Sequence, residues 1–316
     1  IIVSGLLVFV AGSILAALTQ NIFFIIAGRA LQGCGAISSA ALALAADLTR
    51  ETQRTKTMAI IGVCIGLAFS AAFVVGPLID GHVGLDGLFW TSAGLGLAGI
   101  AVVVGLVPNV PTKAAGEKTN RQPNNGWSKP STSVIGGFFL HGTLAASFVA
   151  IPLHLLHEMN LPSQTHYTVY LPVILVSLVL VAPLVMLSTR TKRQRVFILA
   201  TIAALIAGLL LLALGDGSRW ATYLGLGVFF LGFNYLEAAL PSQVSKDADE
   251  DKRGQIMGSY ATLQFLGTFC GAFLGGIMLE HLGVNFVLIG AAILALIWLV
   301  IAFSSAGEHS KSAPGV

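Results

Sequence analysis

Three ionisable residues lie deep inside long apolar stretches of the sequence, where an unused charge is costly. Arg29 is eight residues from Asn21, and Glu237 is nine residues from Lys246, each of which ends its apolar stretch. At 1.5 Å per helical residue, these spacings place the two charges about 12 Å and about 13 Å from the helix ends. His141 lies eight residues into a third stretch, at nearly the same depth as Glu237.

These residue types suit the handling of protons and substrates. A carboxyl group away from water can take up and release a proton near neutral pH, and a neighbouring imidazole can share that proton. Asn234 is on the same predicted helix as Glu237 and adds an amide at a similar level. A guanidinium stays charged, so Arg29 is expected to hold substrate or to tune a carboxylate in a water-filled cavity.

Each of the three residues also has a structural interpretation. Arg29 could bond the backbone carbonyls of a neighbouring helix, and Glu237 could be a protonated carboxyl group bonded to a neighbour. His141 could be a packing residue whose hydrogen bonds are satisfied. We favour the functional interpretation for Arg29 and Glu237, and both interpretations stay open for His141.

The elements that position these residues are predicted to be membrane-spanning helices. The chain has 316 residues, of which 55% are hydrophobic and 10% charged, against about 25% charged residues in soluble domains. This composition excludes a soluble enzyme, a nucleic-acid-binding module and a disordered chain. A bilayer-spanning helix needs about 20 apolar residues, and ten such stretches occur: 1–18, 22–47, 57–79, 87–107, 134–157, 167–188, 196–215, 220–245, 255–280 and 285–304.

One polar segment divides these stretches, and the basic residues set their orientation. The segment 108–133 is rich in Pro, Asn, Lys and Thr, which predicts a solvated linker. Fifteen of the 17 Lys and Arg residues fall in this linker, in the C-terminal tail or in the loops on the same side. We therefore expect that side to face the cytoplasm. The predicted organisation is an N-terminal group of four helices, a linker, a six-helix bundle and a tail: 1–107, 108–133, 134–305 and 306–316.

An internal repeat relates the two helical groups. An offset of 199 residues aligns glycines, an Arg-x3-Met pattern and a His-x-Gly pattern without a gap: Gly28 with Gly227, Gly33 with Gly232, Arg54 with Arg253, Gly76 with Gly275, and His82 with His281. Both copies have the same predicted membrane orientation, as in parallel repeats. The stretches 134–157 and 167–188 have no counterpart in the first copy. We therefore expect a six-helix repeat whose first copy lacks two helices in this chain.

The stretch IIAGRALQGCGAI resembles motif B of the major facilitator superfamily, an Arg-x-x-Gln-Gly-x-Gly pattern. Arg29, Gln32, Gly33 and Gly35 are the matching residues. The resemblance makes Arg29 and Gln32 candidates for the cavity, and Gly33 and Gly35 candidates for conformational motifs.

A second stretch, GLAFSAAFVVGPLIDG, resembles motif C, the Gly-Pro-x-x-Gly-Gly signature of drug:proton antiporters. Gly76 and Pro77 match, whereas Asp80 replaces the first terminal Gly. Together with FNYLEAALPSQVSK, these motifs make the chain similar to the bacterial YajR-like group of drug:proton antiporters. Gly275 is the repeat counterpart of Gly76. By the same resemblance, Asp47 is the expected charge partner of the family's motif A, which would lie just before residue 1.

The resemblance implies an all-α transmembrane major facilitator fold of two pseudosymmetric six-helix bundles, with about ten helices in this chain. It also implies transport by alternating access, with small amphipathic compounds and protons as the transported species. We expect a monomer in the bilayer of a bacterial inner membrane, with the linker and the C-terminus cytoplasmic. Two alternatives stay open: a proton-coupled nutrient importer, and an incomplete fragment that does not transport.

Other chemistry has no support in the sequence. No GxxxxGK[ST] loop is present, so we expect neither nucleotide nor any other cofactor, and no nucleic-acid partner. No Ser-His-Asp or paired-carboxylate pattern suggests an enzyme. Four residues near one predicted connection, His154, His157, Glu158 and His166, could bind a metal. Because their spacing across a helix end fixes no ligand geometry, we interpret them as a polar rim and predict no metal site.

Overall fold

The computed structural model describes residues 1–35, 37–108, 132–215, 217–247 and 253–304. The predicted tail and most of the predicted linker lie outside these ranges. Within them the chain is almost entirely helical and contains no strand, which confirms the all-α prediction. The ten helices are α1 Ile2–Ala17, α2 Ile22–Cys34, α3 Ser38–Leu48, α4 Glu51–Leu106, α5 Thr132–His157, α6 Tyr167–Arg190, α7 Gln194–Leu214, α8 Arg219–Asp247, α9 Arg253–Leu282 and α10 Val284–Ser304, with a 3-10 turn at Ser163–Thr165.

Most of these helices have the length and composition of membrane spans. Seven segments of the described residues are long and apolar enough to cross a bilayer: Val75–Leu106, Thr132–His157, Ser163–Arg190, Gln194–Leu214, Arg219–Asp247, Gln255–Leu282 and Val284–Ser304. The apolar helices Ile2–Ala17 and Ile22–Cys34 are shorter. The described part of the chain is therefore that of a multi-span membrane protein.

The chain divides into two compact units, Ile1–Asn125 and Gly126–Val316, which we call unit 1 and unit 2. Unit 1 contains α1 to α4, and α1 packs on both α2 and α4. Unit 2 contains α5 to α10, in which the most extensive pairings join α5 to α9 and α7 to α8.

One helix boundary differs from the predicted ones and another agrees with them, and both lie at a glycine. The stretch 22–47, predicted as one helix, breaks after Cys34, where Gly35 packs against α1: a Cβ atom on Gly35 would lie 2.6 Å from the Gly5 carbonyl oxygen. The segment α4 contains the two predicted helices 57–79 and 87–107, which meet at Gly84, whose φ of 74° and ψ of −174° are not helical. A tertiary contact causes the first break, so the local apolar pattern could not predict it.

Close helix approach in both units depends on glycines that face one another. A Cβ atom on Gly12 of α1 would lie 2.5 Å from the Gly28 carbonyl oxygen of α2. In unit 2, a Cβ atom on Gly208 of α7 would lie 2.6 Å from the Gly225 carbonyl oxygen of α8. Small residues at such positions let helix backbones approach closely where there is no hydrophobic drive between them.

The two repeat copies each have a glycine with positive φ at the corresponding position. Gly84 has φ of 74° and Gly283 has φ of 92°, and the two glycines are 199 residues apart. Two residues before each glycine, a histidine Nδ1 donates to a backbone carbonyl of the preceding helical turn. His82 donates to Leu78 at 2.8 Å, and His281 donates to Ile277 at 3.0 Å. The His-x-Gly pattern therefore encodes a left-handed turn in each copy.

We predict that Gly283→Ala lowers the free energy of unfolding by about 1 kcal/mol, because a side chain in the left-handed region strains the backbone. Gly276→Ala is the matched control, since Gly276 lies inside α9 with open space where the new Cβ atom would stand. Alanine there should be neutral or stabilising. Unfolding in detergent micelles measures both variants. Equal unfolding curves for the two would contradict a left-handed Gly283.

Candidate functional site

Three helices of unit 2 bring polar side chains together inside the bundle. The His141 Nε2 atom of α5 lies 3.6 Å from the Glu237 Oε2 atom of α8. The Gln264 side chain of α9 reaches the same imidazole, with its Nε2 atom 3.3 Å from His141 Nε2. We call His141, Glu237, Gln264 and the neighbouring Tyr260 the His141–Glu237 site. Two of its residues were predicted from depth alone, and the structure brings them into contact.

Small residues on α5 and α9 make this convergence possible. A Cβ atom on Gly137, one turn before His141, would lie 2.8 Å from the Tyr260 ring and 3.1 Å from Gln264 Cγ. Further along, Gly271 of α9 sits directly against the Gly142 backbone of α5. The two helices are therefore close enough for Gln264 to reach across to the imidazole.

The hydrogen bonds of His141 determine which ring nitrogen faces the carboxyl group. His141 Nδ1 lies 3.2 Å from the Gly137 carbonyl oxygen, which can only accept, so Nδ1 carries a proton. The Gln264 amide can only donate through its nitrogen, so Nε2 accepts from it in the neutral imidazole. A further proton at this site therefore resides on His141 Nε2 or on Glu237, the two groups that are 3.6 Å apart.

Burial leaves part of this site without hydrogen-bond partners. The side chains of His141 and Glu237 are 19% and 37% exposed. The Glu237 Oε2 atom and the Tyr260 hydroxyl are buried and have no hydrogen-bond partner among the described residues. Phe233 of α8 adds an aromatic edge to the imidazole, with ring centroids 6.2 Å apart. Because a buried polar atom without a partner is costly, the site favours taking up a proton or a donor group.

Asn234, also predicted for the site, joins two helices. Its amide nitrogen donates to Ser177 Oγ of α6 at 2.8 Å, and Ser177 in turn donates to the Ile174 carbonyl oxygen. Ser177 is buried and was not identified from the sequence. A polar residue in the apolar stretch 167–188 was the available signal, but its partner depends on tertiary packing.

A second polar chain lies in unit 1 and contains the motif B residues. Arg29 Nη1 donates to Gln32 Oε1 at 2.8 Å, and Gln32 Nε2 donates to Ser13 Oγ of α1 at 2.6 Å. Ser13 donates onward to the Phe9 carbonyl oxygen at 2.8 Å. Gln32 is buried whereas Arg29 is exposed within this unit. The structure therefore brings Arg29 and Gln32 together and adds Ser13, which sequence reasoning missed.

The remaining predicted residues lie on helices or at their ends. Gly275 approaches α5, with the Ala146 Cα atom 3.2 Å from an added Cβ atom, and Gly35 packs on α1 as described. Gly33 and Gly76 have open space beside them, and Pro77 is inside α4. Asp47 is in α3, and its side chain lies outside the described part of the structure. Among the described residues, no three His, Cys, Asp or Glu side chains converge as ligands for a metal ion.

Comparison with known families identifies the class of this protein. The sequence profile of the Major Facilitator Superfamily matches residues 1–272 and also matches residues 135–315. The chain therefore belongs to this superfamily, as the motifs predicted. Its members are generally non-enzymatic carriers that move small molecules across membranes, so the protein is a multi-span membrane transporter.

The chain is similar to named bacterial transporters. It is 38% identical over 314 residues to the inner membrane transport protein YajR of Escherichia coli strain K12, with 96% of this chain and 67% of the relative aligned. It is 32% identical over 281 residues to the uncharacterized transporter BU466 of Buchnera aphidicola, with 86% and 71% aligned.

Solved structures share the fold. The human organic anion transporter MFSD10 superimposes with a TM-score of 0.69 at 18% identity, covering 95% of this chain and 76% of MFSD10. A bacterial homolog of the human lysosomal transporter Spinster superimposes with a TM-score of 0.71 at 12% identity, covering 99% and 83%. At these identities the likeness confirms the major facilitator fold alone.

The Asn234–Ser177 hydrogen bond is expected to stabilise unit 2. A double-mutant cycle of Asn234→Ala and Ser177→Ala should give a coupling energy of about 0.6 kcal/mol, the usual size for such bonds between membrane helices. Unfolding of the purified protein in micelles measures it. Ser147→Ala is the control partner, because Ser147 Oγ bonds the Thr143 carbonyl of its own helix. Its effect should add to that of Asn234→Ala. If the effects were additive in the Asn234–Ser177 pair as well as in the Asn234–Ser147 pair, a stabilising Asn234–Ser177 hydrogen bond would be contradicted.

Proposed function

We propose that this protein couples inward proton flow to the export of small amphipathic compounds across a bacterial inner membrane. The observation that carries the proposal is the contact between His141 and Glu237. Transport against a gradient needs a group that gains and loses a proton inside the membrane. A carboxyl group beside an imidazole, in a site that is short of hydrogen-bond partners, meets that need.

The proposed mechanism uses two protonation states of this site. With one proton fewer, Glu237 is a carboxylate beside a neutral imidazole and accepts a donor group from substrate. With one proton more, the carboxyl group is neutral and has little affinity for a cation or a donor. Proton uptake therefore weakens the hold on substrate, which gives exchange of one for the other during alternating access.

Arg29 is proposed as the fixed positive charge of the transport pathway. Its guanidinium is held by Gln32, which is itself bonded to Ser13, so the charge has a defined position. Because a guanidinium does not lose its proton, Arg29 suits an anionic or carbonyl group of substrate better than proton transfer. The motif C resemblance at Gly76 and Pro77 supports export rather than import.

The location and orientation follow from the basic residues and the relatives. Lys and Arg concentrate on one side of the predicted spans, which supports a cytoplasmic linker and C-terminus. The similarity to an inner membrane transport protein supports the bacterial inner membrane. We propose a monomer as the working unit, since each proposed site forms within a single chain.

Transport in everted membrane vesicles tests the proposed direction and coupling. The full-length protein is screened for uptake of labelled amphipathic compounds with and without an imposed proton gradient. The gradient should drive uptake into everted vesicles, which corresponds to export from cells. In Glu237→Gln the gradient-driven part should fall to the level of vesicles without the protein.

Glu280→Gln is the matched control, because Glu280 is an exposed carboxylate near the end of α9 and should leave transport unchanged. Gradient-independent transport by both wild type and Glu237→Gln would contradict proton coupling. Uptake into right-side-out vesicles alone would instead identify an importer.

His141→Ala is expected to change the pH dependence of transport, because it removes the group that shares a proton with Glu237. His281→Ala is the control, since His281 bonds only within its own helix end in the described structure. Initial rates measured across the pH range compare the two. A His141→Ala profile that superimposes on the wild-type profile would assign His141 a packing role.

A further inference from the structure

A polar cavity at one end of unit 2 has no part in the proposed proton pathway. Its volume is about 300 Å³, and it lies where α5 and α7 finish and α10 begins. The lining residues are His154, Glu158, Leu212, Ala213, Gly217 and Asn285. This volume is at the lower limit of small-molecule sites, so it suits a small polar group rather than a whole amphipathic compound.

His154 is a buried polar residue at this cavity, and only one of its two ring nitrogens has a hydrogen-bond partner among the described residues. The residue is 2% exposed, and its Nε2 atom lies 3.2 Å from the Thr222 hydroxyl of α8. Its Nδ1 atom is buried and has no hydrogen-bond partner among the described residues. When Nε2 carries the proton and donates to the Thr222 hydroxyl oxygen, Nδ1 of the neutral ring is an acceptor that is open to a donor from a ligand. A buried ring nitrogen without a partner is costly, so occupancy would stabilise this end of the bundle.

Glu158 supplies the negative charge of the cavity. Its backbone N–H donates to the His154 carbonyl oxygen at 2.9 Å, so it follows directly on α5. Its carboxylate lies beside Gly217, where an added Cβ atom would be 3.3 Å from Glu158 Oε2. Gly217 has φ of 68°, so the chain turns tightly under the carboxylate. Among the residues that line the cavity, no Lys or Arg balances this charge.

We propose that this cavity binds a primary ammonium group. The Glu158 carboxylate, the Asn285 amide oxygen and the unpartnered imidazole nitrogen of His154 are three acceptors that match the three N–H donors of such a group. A quaternary ammonium has no N–H to donate, and no aromatic side chain lines the cavity to hold it. A metal ion is less suited, because one carboxylate and one imidazole fall short of a stable ligand set.

Two sources can present this chemistry at the end of a membrane helix bundle. One is the aminoethyl headgroup of a phospholipid, since the cavity is at the helix ends where headgroups lie. The other is a soluble primary amine. The proposal does not depend on proton coupling, because it uses none of the residues of the His141–Glu237 site.

Native mass spectrometry of the full-length protein tests the lipid source. Protein is reconstituted with phosphatidylethanolamine, its N-monomethyl and N,N-dimethyl forms, or phosphatidylcholine, and the retained lipid is counted. Retention should fall along this series as N–H donors are lost, by about tenfold from first to last. Glu158→Gln should remove the preference, and Glu280→Gln should keep it. If Glu158→Gln fails to fold, the retention of the four lipids by the wild-type protein still tests whether N–H donors are required.

Thermal unfolding in phosphatidylcholine with ethylammonium chloride, against sodium chloride at equal ionic strength, tests the soluble source. If ethylammonium stabilises the wild type but not Glu158→Gln, the ligand is a soluble amine. If the protein prefers phosphatidylethanolamine and ethylammonium does not stabilise it, the ligand is the lipid headgroup. Equal retention of all four lipids together with no stabilisation by ethylammonium would overturn the proposal.

Discussion

The contact between an imidazole and a carboxyl group inside an apolar bundle is the interaction on which the rest of unit 2 depends. His141 of α5 lies 3.6 Å from Glu237 of α8. For Gln264 of α9 to reach the same imidazole, α5 and α9 must pack with almost no side chain between them. The glycines at 137, 142 and 271 meet that requirement. The Gly137 carbonyl then fixes the proton on Nδ1 and turns Nε2 towards Glu237. Gly137 therefore contributes both to the close packing of α5 on α9 and to the orientation of the His141 imidazole.

The two repeat copies share a scaffold but not their ionisable residues. The left-handed turns at Gly84 and Gly283 recur with the same histidine-to-carbonyl bond. At the 199-residue offset, however, Arg29 corresponds to Val228 and Glu237 corresponds to Ser38. In the proposed mechanism, unit 1 provides a fixed cation, and unit 2 provides a group that exchanges a proton. This division suits a carrier that must bind two different species.

Much of this arrangement could be predicted from the sequence, because charged residues are costly and therefore rare within membrane-spanning stretches. Arg29 and Glu237 stood out by depth alone, and the motif B resemblance added Gln32 as a candidate. Gln264, Ser13 and Ser177 could not be identified, since each is an ordinary polar residue until a neighbouring helix supplies its partner. The break after Cys34 was missed for the same reason, because Gly35 packs against α1.

Infrared spectroscopy of the purified protein tests the central claim, that Glu237 and His141 share one exchangeable proton. The carboxylic acid C=O band of Glu237 is identified by its loss in Glu237→Gln and followed across about pH 5 to 9. We predict that this band appears and disappears within the range and that its midpoint moves in His141→Ala. A carboxyl group that stays in one protonation state throughout, in wild type and His141→Ala alike, would contradict the account.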